Sequence, residues 1–347
     1  MPNYTASDLA KAQGILQGRF QAGEVRYRLP ATFREFVRQT EVMVPSHRQL
    51  RTREDRAVEA NFFARSARTL GSARSHDHTG DKGDSAVLTP SWSVYTDEFK
   101  MSLKQADISV YSTAEQLANE LQQVIGNFAE GLEDASDAYL FNNRSQVNTY
   151  AAQGTFDGTD NVFQIAEANE DRAVQIIKSA MDFNKYQGMG YTFFCDTVAY
   201  DKFEFFANQG QGNSQNLTFQ YSGVNFVKSI GLDARAADSA LNGTAGYTNG
   251  FVIAVPDGMI AALDWIPVQN RTGIDGKEAV YGSLINPVDG LVYATHSYDE
   301  RSDETADNGQ TQDVKTETQV SIDIALEHAP LTTANETPLQ AFAIVTA

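Results

Sequence analysis

Two histidines flank an aspartate in GSARSHDHTGDKGDSAV, residues 71–87. His76 and His78 stand two apart in a glycine-rich stretch, a spacing that lets both imidazoles reach one metal ion. A metal-dependent hydrolase would use them with nearby carboxylates. The neighbourhood offers no third ordered ligand, and the other histidines, His47, His296 and His328, lie far off in the sequence. The stretch therefore reads as a solvated loop or one that touches a partner. DERSDETADNGQTQD and GLEDASD are acidic enough to attract calcium, but neither has alternating aspartates closed by a glutamate at the twelfth position. Both read as solvated charge runs. Gly188 and Gly190 in YQGMGYTFF precede a strand pattern, whereas a dinucleotide loop follows a strand and opens a helix. The P-loop, Gly-x-Ser-x-Gly and His-Glu-x-x-His patterns are absent. The expectation is a protein that is not an enzyme, with no catalytic, cofactor-binding or metal residue to assign. The single cysteine, Cys195, sits in YTFFCDT and reads as a small core residue, which excludes an internal disulfide.

The charge is divided along the chain. Residues 1–76 hold 13 Lys/Arg against 7 Asp/Glu, while the rest holds 14 against 38. A basic head can meet polyanions or acidic sister surfaces; the acidic body repels nucleic acid. The 347 residues, 41% hydrophobic, suffice for one large or two modest domains with a real core. The start, MPNYTASDLAKAQG, lacks the apolar stretch of a secretory signal, and no apolar run is long enough to span a bilayer. The expectation is a soluble chain made in a reducing cytoplasm.

The strongest element is STAEQLANELQQVIGNFAEGLEDASDAYLF. Ser112 and Glu115 have capping-box spacing. Leu117, Leu121, Val124, Ile125, Phe128, Leu132, Ala135 and Tyr139 recur at three- and four-residue steps, so a helix over 113–141, about 43 Å long, carries one apolar face. The cleanest strand is 314–328, where Val314, Thr316, Thr318, Val320, Ile322, Ile324 and Leu326 alternate with polar residues. A long half-buried strand beside a long amphipathic helix makes an α+β layer. Residues 1–50 show short apolar groups without a long period, and 51–70 suit an arginine-rich helix with a thin alanine stripe. In LTPSWSVYTDEFKMSLKQADI the apolar parity flips, which predicts a strand with a bulge near Thr96–Glu98. A second helix is expected over 164–183, a buried strand at YTFFCD, a short helix over 197–207 and two strands meeting near Ser222–Gly223. GFVIAVPDG reads as a strand, MIAALDWIP as a short helix, 280–298 as two strands, and AFAIVTA as the closing strand.

This order of elements resembles the major capsid protein of tailed bacteriophages (Caudovirales), the Hong Kong 97-type fold. The resemblance spans essentially the whole chain and is carried by the long helix opening YSTAEQLANELQQVIGNFAEGLEDASDAYLF and by GFVIAVPDGMIAALDW. It implies an N-terminal arm over 1–60 and an extended loop (E-loop) over 61–107. It further implies a peripheral domain with its spine helix over 108–164, an axial domain over 165–280, and a return to the peripheral domain with long strands over 281–347. On that resemblance the loop at 71–87 crosses a neighbouring subunit, and the arginine-rich head faces acidic sister surfaces or packaged DNA.

The function implied is a structural protein of the virion, self-assembling as pentamers and hexamers into the icosahedral capsid shell around double-stranded DNA. Assembly would take place in the host cytoplasm, without a membrane. The segment before the long helix is too short for both an arm and a fused scaffold, so a separate scaffolding protein, or assembly without a fused one, is expected, with portal and cement proteins as further partners and only non-specific DNA contact. Some members of the family cross-link a loop lysine to an asparagine; Lys82 is the only lysine near the loop tip and no partner or catalytic carboxylate can be assigned, so no cross-link is expected. An encapsulin-like shell compartment shares the fold and is the nearest alternative. The hydrolase using His76 and His78, and a monomeric carbohydrate-binding or adhesive module, are the readings from other classes.

Overall fold

A computed structural model describes residues 6–23, 30–63, 85–102, 112–145, 148–150, 153–186, 190–208, 218–221, 223–275, 279–301, 314–329 and 337–346. The N-terminal region forms three helices, α1 (Ala6–Gln21), α2 (Ala31–Met43) and α3 (His47–Arg51). Strands β1 (Ala60–Phe63) and β2 (Ser85–Leu88) pair antiparallel, and β3 (Ser93–Ser102) leads toward the long helix α4 (Thr113–Asn142). Next come β4 (Thr155–Asp157), β5 (Val162–Ala166), α5 (Ala173–Met181), β6 (Tyr191–Cys195), α6 (Thr197–Asn208), β7 (Thr218–Tyr221), β8 (Val224–Lys228) and α7 (Gly231–Ala236). The remainder is β9 (Phe251–Pro256), β10 (Ile260–Trp265), α8 (Val268–Thr272), β11 (Ile274–Asp275), β12 (Ala279–Ile285), β13 (Val292–Arg301), β14 (Val314–His328) and β15 (Gln340–Val345).

The strands build two larger sheets. In one, β14 is the spine: β13 and β10 share one of its edges, β3 lines the other, and β12 and β11 extend beyond β13. The other runs β4-β5-β15-β9-β6-β8-β7, mixed parallel and antiparallel. The α+β class read from the sequence is what forms. Helix α4 buries Leu117, Leu121, Val124, Ile125, Phe128 and Leu132 in a core shared with Val320, Ile322 and Ile324 of β14. Its far end reaches the second sheet, where the Phe141 and Phe251 rings lie 5.7 Å apart. Period-two alternation makes the second sheet serve two cores. Phe194, Ile253, Ala341 and Ala343 face α4's core; Phe193, Cys195, Val252, Phe342 and Ile344 face the one under α5 and α6.

Several sequence expectations change. Residues 51–70 do not form a helix over their described part: α3 stops at Arg51, and Ala60–Phe63 pair with β2, because an alanine-only stripe buries too little to hold a helix while Phe62 and Phe63 favour a strand. Residues 1–50 contain two long helices despite their weak period. Among its described side chains helix α1 buries Leu9, Ala12 and Leu16 alone, and α2 mixes Thr32, Glu35, Gln39 and Thr40 into its buried stripe, which hides the repeat. No bulge interrupts β3: its register with β14 is continuous from Ser93 opposite Ile324 to Ser102 opposite Lys315. The parity flips in the sequence because Val94 points outward, 56% exposed, and Trp92 precedes the strand, donating its indole N–H to the Ala57 carbonyl. MIAALDWIP is strand β10; a short apolar run buried on both faces fits either element, and the free edge of β14 decides it. The helix expected over 164–183 is strand β5, a 3-10 turn over Glu167–Arg172 and α5.

Candidate functional site

His76, Asp77, His78, Lys82 and Gly188 lie outside the described residues. The other three histidines are scattered and separately engaged. His47 Nε2 is 2.9 Å from Asp264 Oδ1, whose second oxygen takes the Arg51 Nε–H at 2.9 Å. His328 Nδ1 is 2.7 Å from the Tyr139 hydroxyl, and burial lowers its pKa. His296 stacks on Tyr281 at 4.6 Å. Among the described residues no group of three or more His, Cys, Asp or Glu could hold a metal ion. Cys195 is fully buried and burial raises its thiol pKa. Gly190 does not cradle a phosphate: a Cβ there would strike the Asp257 carboxylate.

The chemically unusual groups sit instead on α4. Glu133 and Asp137 are one turn apart on its buried face, 3% and 0% exposed. Helix α2 begins after Pro30 with no side-chain cap of its own, so its first amides need acceptors. Glu133 supplies them: Oε1 accepts the Ala31 and Thr32 N–H groups at 3.1 Å each, and Oε2 accepts that of Phe33 at 3.0 Å. Asp137 does the same toward the second sheet. Its Oδ1 accepts the Ser229 hydroxyl at 2.6 Å and its Oδ2 the Gly231 N–H at 3.1 Å. Only glycine fits at 231, because a Cβ would collide with that carboxylate.

Burial pushes the Glu133 carboxyl up to about 7, with the Asp137 charge adding and the α2 amides opposing. Burial also raises Asp137, against the hydrogen bonds it accepts. Asp196, which accepts the Ala199 N–H at the start of α6, is raised by burial to about 6. Asp289 is raised by burial to about 6, with the Tyr293 hydroxyl and Leu291 N–H opposing. Perturbed buried carboxylates often mark catalysis. Here the oxygens of Asp196 and Asp289 are occupied by groups of their own turns, and those of Glu133 and Asp137 by amides and a hydroxyl from other elements, so the α4 pair act as joints, fastening α2 and the β8–α7 turn to α4. Sequence reasoning took GLEDASD for a solvated run. The signal was there: Glu133, Ser136 and Asp137 continue the spacing of Ala129, Leu132 and Leu140 on the apolar face.

No family model and no curated protein matches the chain. Among solved structures it is similar to the capsid asymmetric unit of cyanophage Pam1, at 12% identity over 93% of this chain and 94% of that chain, TM-score 0.49. It is similar to the capsid of cyanophage P-SCSP1u at 14% identity over 86% and 85%, TM-score 0.44. Mycobacterium phage Che8 matches at 11% identity over 92% of each chain, TM-score 0.44. Identities and scores this low leave the functional reading to the chain's own residues.

Proposed function

We propose that this chain is a major capsid protein of the Hong Kong 97 type, a structural subunit that assembles with copies of itself into an icosahedral shell around double-stranded DNA. The observation that carries the reading is a long helix backed by a long strand, beside a short hairpin stem that brackets a sequence almost without large apolar residues. Helix α4, 30 residues long, is backed by the 15-residue strand β14 and joined to both sheets, while the β1–β2 stem carries residues 64–84, which contain one large apolar residue, Leu70. A two-stranded stem of four residues each is marginal by itself. It rests on β10 and β14 through Ala57, Ala60 and Leu88 against Ala261, Leu263 and Ala325. A composition that buries nothing of its own suits contact with another subunit.

The division proposed for the shell subunit is an N-terminal arm over 1–60, an extended loop over 61–107, a peripheral domain over 108–164 and 281–347, and an axial domain over 165–280. Strand pairings cross it: β3 and β10 both pair with β14, and β15 pairs with β9. The opposed charges of head and body favour contacts between sister subunits. A separate scaffolding protein, portal and cement proteins, non-specific DNA contact and assembly in the host cytoplasm belong to the same proposal. Among the described residues no helix is long and apolar enough to cross a membrane.

Negative-stain electron microscopy with light scattering tests the reading on purified protein. Closed shells, or rings of five and six subunits, are the expected result. A monodisperse monomer at high concentration, with crowding agent and magnesium present, counts against it.

A further inference from the structure

We propose that Asn249 and Gly250 are a site of spontaneous main-chain modification, where the Gly250 nitrogen closes on the Asn249 side chain to give a cyclic imide and then aspartate or isoaspartate. The inference is independent of the shell reading. Among the described residues the Asn-Gly pair occurs at 242–243 and at 249–250. Glycine after asparagine leaves the attacking nitrogen unhindered, because no Cβ stands over the ring being formed. The fold itself demands the glycine at 250. Its φ is +129°, and a Cβ there would lie 3.3 Å from the Ala199 Cβ, in the first turn of α6.

The two pairs differ in what holds them. The Asn242 side-chain amide donates to the Gly246 carbonyl at 3.1 Å, and the Asn242 main-chain N–H donates to Asp160 Oδ2 at 2.6 Å. Both the leaving amide and the main chain beside it are therefore tied. Around Asn249 the chain is anchored on either side but not at the reacting atoms. The Tyr247 N–H donates to the Ala236 carbonyl at 2.7 Å, and the Gly250 carbonyl accepts the Ile344 N–H at 2.9 Å. Between those anchors, the Asn249 side chain and the Gly250 N–H have no hydrogen-bond partner among the described residues. Asn249 is half-buried and Thr248 exposed, so water reaches the pair. A short segment without bonds of its own opens at little cost.

The chemistry balances with water alone. Solvent base takes the Gly250 N–H proton, the nitrogen attacks Asn249 Cγ, and the side-chain nitrogen leaves as ammonia. Water then opens the imide. Attack at Cγ gives aspartate; attack at the main-chain carbonyl gives isoaspartate, whose chain runs on through Cγ. Water enters, ammonia leaves, and nothing is oxidised or reduced. Each event adds a negative charge to a chain whose net charge is -18. Isoaspartate also lengthens the main chain by a methylene directly before β9, where the Phe251 carbonyl accepts the Asp196 N–H at 2.9 Å.

The test is ageing of the full chain at mildly alkaline pH, native and in concentrated urea, read by residue-resolved peptide mass spectrometry and anion-exchange chromatography. In the native protein position 249 is expected to convert at least about ten-fold faster than 242, since two hydrogen bonds must break before Asn242 can cyclise. In urea the two rates should converge, because both pairs then sit in an open chain. N249Q should remove the fast-forming acidic species from the native sample. Equal native rates, or a slower one at 249, overturn the assignment. A gap that persists in urea has its cause in the neighbouring sequence and overturns the structural argument. Aspartate formed without isoaspartate overturns the imide, because direct hydrolysis gives aspartate alone.

Discussion

Replacing Glu133 by Gln is the sharpest probe of the joint between α2 and α4. The amide keeps one acceptor for the Ala31 and Thr32 N–H groups, but sets a donor against that of Phe33. The larger effect is on pH dependence. The Glu133 carboxyl is raised from 4.5 to about 7 in the folded protein, chiefly by burial. A raised acid binds more protons folded than unfolded. Its stabilising contribution is therefore complete below about pH 4.5 and is lost as pH rises through 7. Between pH 5 and pH 8 linkage puts that loss at about 2–3 kcal/mol. Glutamine does not titrate, so the stability gap between wild type and E133Q should be wider at pH 5 than at pH 8 by that amount. Urea unfolding at the two pH values, followed by Trp92 and Trp265 fluorescence, measures it, and the titration of groups remote from Glu133 cancels in the difference, leaving Glu133 with its neighbour Asp137. A gap equal at both pH values, or wider at pH 8, would mean the three amides hold the carboxylate charged and would refute the reasoning.

Three other outcomes follow from the same geometry. D264A strands the buried His47 imidazole and the Arg51 guanidinium, and should cost about 3 kcal/mol in urea unfolding. S112A removes the oxygen that accepts the Glu115 N–H and half of a reciprocal box, so it should cost about 1 kcal/mol and speed amide exchange in the first turn of α4 while leaving its middle unchanged. The Cys195 thiol, buried and raised, should resist Ellman's reagent in the native protein and react only after denaturant is added; prompt native reaction would contradict the burial of β6.

What the sequence by itself determined is local and periodic. Ser112 and Glu115 opened α4 where the spacing put them, because a capping box is satisfied by its own few residues. The alternation over 314–328 is the long strand, because Val320, Ile322 and Ile324 on one face enter the core that the long helix covers. Tertiary structure decided the rest. Helix α2 was hidden because its buried stripe contains Thr32, Glu35, Gln39 and Thr40; of these, Gln39 and Thr40 are satisfied by partners far off in the chain, the Gly258 N–H and the backbone of Ala262. Strand β10 took its identity from the edge of β14 offered to it, not from its own apolar run. Glu133 and Asp137 read as solvated acid until α2 and the β8–α7 turn brought amides to them from about a hundred residues away in sequence. Periodicity records which face is apolar. Which polar residues that face can also hold depends on donors that only folding delivers.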